Sequence, residues 1–457
     1  MSILFKGGQI VSATTMHPAD LRIEGEKIVE IGEHLPENDS NVVDVSGCLL
    51  FPGFIDAHTH LDMATAVTHT ADNFSTGSTA AIAGGTTCVI DFATQERDET
   101  LQQGLENWHA LADGKSACDY AFHMSITNWN EHTASEIPAM FKQGISSFKL
   151  YMAYDNLRIR DAEIFEIMET IRDHHGMLGC HCENGDLVDE LIAKERRQGH
   201  LSPAAHPHSR PDSVETEAVE RYLTMAKLAD LPVNIVHLSC LRSLEAVRRR
   251  RGEGQKIFVE TCPHYLLLDD SYYELPDFES AKYVCSPPLR GAGNPPMLWD
   301  AITAGEINTI STDHCSFNFE GQKTMGRDDF SKIPNGLPGV EHRPILIYTY
   351  GVCEGRITYS EMAGLLSENI ARQFGMYPQK GTLSVGSDAD IVVWDPIPRG
   401  TIRAADQHHH VDYTPYEGFQ TQGTARQVYL RGQLAAEGGH VFDSKRGHFV
   451  HCGSSEW

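Results

Sequence analysis

Over roughly the first fifty positions apolar and polar residues alternate, in "ILFKGGQIV", "DLRIEGEKIVEIG" and "VVDVSGCLLFPG", with glycine-containing turns between the runs. A period of two broken by glycine predicts β-hairpins. The pattern changes at Pro52. From there short apolar runs alternate with helix-like stretches such as "AEIFEIMETIRDHH" and "VETEAVERYLTMAKLA", the signature of a parallel sheet wrapped by helices. The apolar runs are "GFIDAH", "TTCVIDF", "YAFHMSI", "ISSFKLYM", "MLGCH", "VNIVHL", "IFVETC" and "INTISTD". Eight of them predict a (β/α)8, TIM-like barrel. After a last helical region around "YSEMAGLLSENIARQFGM", β-type segments return in "DADIVVWDP" and "ARQVYLRGQLAAEGGHVF". The two chain ends are therefore expected to build one smaller β-sandwich domain, residues 1–51 with 381–457, around a barrel spanning 52–380.

Composition narrows the function classes. With 457 residues and 41% hydrophobic content the chain has a sizeable core. Lys+Arg number 37 against 63 Asp+Glu, and the resulting charge of -26 repels phosphate backbones and anionic membranes. Neither nucleic acid nor membrane is an expected partner. The opening "MSILFKGGQIVSA" has no long apolar core behind a basic segment, and no stretch approaches the roughly 18 apolar residues of a membrane span; the expected location is cytoplasmic. The 11 cysteines are scattered without a CxxC pair, which fits free thiols in a reducing compartment. Cys180 and Cys182 flank His181, but small buried cysteines are common in strands, and that reading is preferred over metal ligation. The triplet His408 to His410 lies well inside the chain, away from where a purification tag would sit.

The polar residues on the eight runs form a constellation. His58 and His60 end the first, Lys149 lies in the fourth, His181 ends the fifth, His237 lies late in the sixth and Asp313 closes the eighth. In a closed barrel the C-terminal strand ends converge on the face where such enzymes carry their active sites. Alternate residues of a strand point the same way, so His58 and His60 can share one cation. Imidazole and carboxylate suit zinc and similar divalent ions. One histidine at a strand end reads as an ordinary core or surface residue; four with an aspartate do not. Lys149 has two readings, a snorkelling or salt-bridged lysine, or an amine that adds carbon dioxide to give a carbamate bridging two metals.

"GFIDAHTHLDM", "GGTTCVIDFA", "SSFKLYMAY", "HCEN", "IVHLS", "ETCPHYLLLD", "SPPLR", "STDHCSF", "PNGLPGVEHR" and "KGTLSVGSDADIVVWDP", in that order over nearly the whole chain, resemble the cyclic amidohydrolases, most closely the hydantoinase/dihydropyrimidinase family. The resemblance implies a hydrolase that opens dihydropyrimidines or 5-substituted hydantoins to N-carbamoyl amino acids, with two divalent ions, zinc expected. It assigns His58, His60 and Asp313 to one metal, His181 and His237 to the second, and a carbamate on Lys149 as the bridge. It makes Asp313 the proton shuttle and Tyr154 the group polarising the carbonyl, with the backbones of Ser286 and Asn335 holding the ring's amide edge. A homotetramer and a small cyclic ureide as the only other partner complete the expectation. Many relatives follow their HxH motif with "PFGG", where this chain has "MATAVTHTADNF", so the substituent and the enantiomer accepted do not carry over. The competing readings are allantoinase or dihydroorotase, and a non-catalytic scaffold of the same fold. Dihydroorotate calls for an arginine beside the first motif, where "HTHLDM" offers Asp62, and a scaffold would be expected to have lost ligands, none of which is missing.

Overall fold

The computed structural model describes residues 2–65, 67–442 and 445–456. Among these, eight parallel strands form one sheet: Phe54–Thr59, Thr86–Thr94, Asp119–Ser125, Ser147–Tyr151, Met177–His181, Val233–Ile235, Ile257–Thr261 and Thr309–Ile310. Each pairs with its neighbour in the chain, the barrel order that the apolar runs predict. The seam between the first and eighth strands closes beyond the strand ends. Thr59 bridges His314 in parallel; the His314 amide donates to the His58 carbonyl at 3.2 Å, and the His60 amide donates to the His314 carbonyl at 2.8 Å. Buried Asp56 ties the same two segments by accepting from the Thr312 amide at 3.1 Å and hydroxyl at 2.7 Å. Buried Arg343 donates to the carbonyls of Ile55 at 2.7 Å and Ile310 at 2.9 Å.

The wrapping helices follow their apolar stripes. Helix Asp161–Asp173 buries Ile164, Ile167, Met168 and Ile171, the i, i+3, i+4, i+7 face of an amphipathic helix. The last helical region is continuous over 359–373 but widens to a π turn at Gly364–Glu368, where the Ser367 hydroxyl reaches the Gly53 carbonyl at 3.1 Å.

The chain ends form a separate domain of two further sheets. One has four strands in the order Lys27–Gly32, Asp20–Glu24, Ser2–Lys6, Asn41–Asp44; the other has seven, in the order His440–Val441, Gln433–Glu437, Gln420–Leu430, Ile391–Thr401, Leu49–Pro52, Gln9–Val11, Met16–Pro18. The ends meet where Leu49–Pro52 pairs antiparallel with Ile391–Thr401, over a core that includes Phe5, Leu21, Ile23, Leu50, Val393 and Tyr429. Of the three expected hairpins only "DLRIEGEKIVEIG" is one, with Ile23 opposite Ile28. In the other two the turn carries the chain from one sheet to the other. At the first of these Gly7 has φ +81°, and a Cβ there would lie 2.6 Å from Ser46 Oγ; the sharp crossover depends on glycine.

Among the described residues no helix is long and apolar enough to cross a membrane, and the cysteines are free thiols, all buried except Cys353. The barrel and the β-domain are joined by a buried ion cluster. Lys380 lies 2.5 Å from Asp119 at the start of the third barrel strand, 3.0 Å from Asp388 and 2.7 Å from Asp390, just before a strand of the β-domain. Arg431 also pairs with Asp119. Burial opposes the charge on Lys380, but Asp390, Asp119 and Asp388 outweigh it and hold the amine well above the ordinary lysine range. Removing one partner from a buried ionic cluster leaves uncompensated charge at a cost of about 3–5 kcal/mol. Lys380→Met is accordingly expected to lower the free energy of unfolding by that amount, read from denaturant titration; an unchanged midpoint would show that the cluster does not join the domains.

Candidate metal centre

The strand ends place the predicted residues on one face of the barrel. His58 is in the first strand and His60 follows its last residue, Lys149 is central in the fourth and His181 closes the fifth. His237 and Asp313 lie beyond the sixth and eighth strands, which stop at Ile235 and Ile310, and not within them as the apolar runs suggest. The reason is local: His237 has φ 38° and Asp313 φ 50°, a left-handed backbone that ends the ladder and re-aims the side chain. Tyr154, past the fourth strand, has φ 70°.

Two groups of ligand atoms result. His58 Nε2 and His60 Nε2 each lie 3.2 Å from Asp313 Oδ1, and one atom from each of the three residues falls within 4.8 Å of the others. His181 Nδ1 and His237 Nε2 lie 3.1 Å apart. The His58 and His237 rings are 5.3 Å apart between centroids, so the groups adjoin. Lys149 Nζ, buried, is 3.4 Å from His58 Nε2, and after burial its charge is a further cause that depresses His58, His181 and His237. Phe92 backs the pair, stacked on His60 with centroids 4.9 Å apart, and Lys149 lies 4.6 Å from the Phe92 ring centre.

This donor set fits divalent ions. Zinc bonds imidazole nitrogen at about 2.0–2.1 Å, which puts tetrahedral ligands about 3.3 Å apart; the separations of 3.1 and 3.2 Å match such edges. Burial, reinforced by Lys149, drives His58 and His237 well below the ordinary imidazole range, leaving neutral rings with lone pairs to donate. Asp313 resists burial through His58, His60 and His237 and stays well below the usual carboxylate range. Burial lowers Lys149 too, against the opposing charges of Asp313 and Glu260.

Two carboxylates decide which nitrogen faces the site. Glu260 Oε1 lies 2.6 Å from His58 Nδ1 and accepts the His237 amide at 3.1 Å, so one side chain fixes a member of each group. Glu183 Oε2 lies 2.8 Å from His181 Nε2 and 2.6 Å from Arg210 Nη1. Burial raises Glu183, but Arg210 and His181 bring it down to about 2. Neither glutamate is singled out by the sequence reading, although both lie within its motifs, in "VETC" and "HCEN". The available signal was a carboxylate in an apolar strand, and one two residues beyond a histidine. Of the flanking aspartates, Asp56 closes the barrel seam and Asp62 accepts the Phe74 amide at 2.8 Å at the start of a helix; neither belongs to the donor set. The Cys180 and Cys182 thiols donate to backbone carbonyls.

Tyr154 stands beside these groups, its ring 5.1 Å from that of His181 and 5.5 Å from the Arg210 guanidinium carbon. Burial pushes its phenol up to about 12 against the pull of Arg210, so it is a proton donor at neutral pH. Asn335 Nδ2 donates to Ser286 Oγ at 2.8 Å, joining the two segments expected to hold substrate. The loop after His60 is a small turn of its own: Thr65 and Thr68 cross-bond, Met63 pairs with Thr70, and Gln322 donates to Thr68 Oγ1 at 2.8 Å. Ala66 in this loop lies outside the described residues. The His408–His410 triplet is structural: His408 pairs with Glu341 at 2.9 Å, His409 is buried, and the His410 amide donates to Asp72 at 2.8 Å.

Comparison with known proteins agrees with this geometry. The amidohydrolase family model matches residues 49–435. A D-hydantoinase of Geobacillus stearothermophilus is 42% identical over 436 residues, covering 95% of this chain and 93% of that protein. One of Ralstonia pickettii is 41% identical over 452 residues, 98% of each. The crystal structure of dihydropyrimidinase from Brevibacillus agri NCHU1002 superposes with a TM-score of 0.98 at 40% identity, covering 100% of this chain and 99% of that one.

Carboxylates that orient ligating histidines are worth about 10–100-fold in metal affinity. Glu260→Gln is expected to weaken binding by that range at neutral pH and to release metal faster, since Glu260 holds one histidine from each group. Competition against a chromophoric chelator measures it; wild-type affinity in the variant would leave Glu260 without that part.

Proposed function

The chain belongs to the amidohydrolase family and hydrolyses cyclic amides, and within that activity we propose that it opens dihydropyrimidines and 5-substituted hydantoins to N-carbamoyl amino acids, with preference for the D enantiomer. The observation that carries this reading is the convergence of His58, His60 and Asp313 with His181 and His237 around one buried lysine. The names of the close relatives support the ring class and the handedness.

Divalent metal binding follows from the family and the donor set. We propose two ions, zinc in each, the first held by His58, His60 and Asp313, the second by His181 and His237, with Lys149 as a carbamate between them. When bound, the ions supply Lewis acidity and lower the pKa of water. The protein's own groups do the rest. Asp313 Oδ takes the proton from the attacking water and returns it to the leaving ring nitrogen, as general base and then general acid. The Tyr154 O–H donates to the oxygen on which negative charge develops. The peptide groups of Ser286 and Asn335 hold the ring's N–H and C=O edge and orient its carbonyl toward Tyr154. Phe92 and the surrounding barrel wall exclude bulk water, which strengthens each of these interactions. A cytoplasmic homotetramer belongs to the same reading, and analytical ultracentrifugation tests the assembly.

Unmodified, Lys149 would put an ammonium beside two dications, a repulsion of several kcal/mol at short range even with generous screening, on the order of what Coulomb's law gives at intermediate dielectric. Lys149→Arg keeps the charge and cannot form the carbamate. Its expected behaviour is loss of metal and activity together, by elemental analysis and assay; a variant holding two ions and turning over like wild type would remove the carbamate from the mechanism.

The substrate is tested by rates on metal-replete enzyme with dihydrouracil, dihydrothymine, hydantoin, both enantiomers of phenylhydantoin, allantoin and dihydroorotate. The first three and D-phenylhydantoin are expected to be opened. Turnover of allantoin alone or of dihydroorotate alone would place the chain in another branch of the family.

A further inference from the structure

Lys323 is a buried amine that the chemistry above does not use; burial pushes it down to about 7. Its side chain is fully buried, and Nζ donates to three backbone carbonyls, Val284 O at 2.7 Å, Pro334 O at 2.8 Å and Gly336 O at 2.8 Å. Three acceptors match the three protons of an ammonium group. Among the described residues no carboxylate forms an ion pair with it, and the Phe317 ring centre lies 5.9 Å from Nζ. A charge buried against dipoles alone is expensive unless its bonds are all made, and here they are all made to two short segments.

Those segments carry Ser286 and Asn335. The carbonyls gripped by Lys323 immediately flank Asn335, and Val284 lies two residues before Ser286. The pairing is tight in other ways: the Gly336 amide donates to the Val284 carbonyl at 3.0 Å, and the Cys315 amide to the Leu337 carbonyl at 3.1 Å. Gly336 has φ +151°, and a Cβ there would meet the Cys315 carbonyl at 2.3 Å, so the segment is pressed against the chain two residues after Asp313. Asn335 and Ser286 then join by their side chains at 2.8 Å. With the carbonyls on either side of Asn335 turned toward the Lys323 amine, the peptide groups between have little freedom left.

We propose that Lys323 is a positioning residue for substrate: it clamps the 284–286 and 334–336 backbones together from behind, so that the peptide groups of Ser286 and Asn335 meet the ring's amide edge already in place. This rests on the reading of Ser286 and Asn335 as the ring contacts. Lys323 touches neither the donor set nor the substrate. Contacts to the ring edge are made in the ground state as well as the transition state, so their disorder weakens binding more than it slows the chemical step.

The test uses the metal-loaded enzyme and Lys323→Met, which keeps the volume and removes all three donors. Two readings are taken: hydrogen exchange by mass spectrometry over 284–287 and 334–337, and KM with kcat for hydantoin. The expected result is faster exchange in both segments, KM raised about tenfold and kcat within about threefold, since the lost interactions are shared by ground and transition states. Unchanged exchange overturns the clamp while leaving the ring contacts standing. Faster exchange with unchanged KM overturns the proposal through the other premise, the assignment of Ser286 and Asn335 to substrate. A fall in kcat alone, with KM unmoved, overturns it as well. If Lys323→Met does not accumulate, Lys323→Gln, which keeps two donors without the charge, carries the same comparison with smaller expected changes in the same directions.

Discussion

The catalytic face depends on one seam, where the first barrel strand meets the chain leaving the eighth. Two backbone hydrogen bonds, between His314 and residues 58 and 60, set the register there. Because side chains alternate, that register aims His58 and His60 together and brings Asp313 opposite both; a slip of one residue would turn the histidines to the other side of the sheet. Asp56 and Arg343 hold the register from below by bonding across the same gap. Both are buried, and each satisfies groups on two segments that are some 250 positions apart in the chain. The aspartate that precedes the histidine pair in sequence thus serves the pair through the backbone, with no part in its donor atoms.

Burial then settles the protonation states. Four imidazoles, a lysine and an aspartate packed into a dry barrel mouth would be a poor cluster of charges. Desolvation, reinforced by Lys149, pushes His58 and His237 well below the ordinary imidazole range, and the Asp313 carboxyl, which accepts a hydrogen bond from His60, stays well below the usual carboxylate range against its own burial. Both directions favour lone pairs on the histidines and an ionised carboxylate, which is what a metal-binding set requires. Glu260 and Glu183 complete it by engaging the far nitrogens of His58 and His181, so that rotation of either ring carries an energetic penalty. Glu260 also accepts the His237 amide, which couples the two groups mechanically through a single carboxylate.

Strand count and the places of His58, His60 and His181 were legible because each depends on local pattern, an apolar run with a polar residue at its end, whereas His237 and Asp313 stand past their strands on left-handed backbone that the runs do not announce. What depends on partners across the barrel was not. Glu260 reads in sequence as an odd charge in an apolar strand, and only the neighbouring strands reveal that it faces His58. Lys323 sits in a polar loop sequence, "EGQKTMG", that gives no hint of full burial. The hairpin readings failed for a related reason. Alternation identifies strands, but whether consecutive strands pair or pass to different sheets is decided by packing, and "FKGGQ" has the same turn signal in either case.

The left-handed backbone at Tyr154, His237 and Asp313 is a strained feature that the barrel holds in place. Such conformations cost roughly 1–3 kcal/mol each outside glycine and persist only where the surroundings over-determine them. Here the barrel strands immediately before them do so, which ties these three side chains to the closed sheet. The loop after His60 is held by its own threonines and by Gln322, and it is tied to the seam as well, since its buried Asp72 lies 3.2 Å from His314 Nε2 and accepts the His410 amide at 2.8 Å. The donor set thus depends on the closed sheet, and the loop depends on the same sheet through the bond between Asp72 and His314.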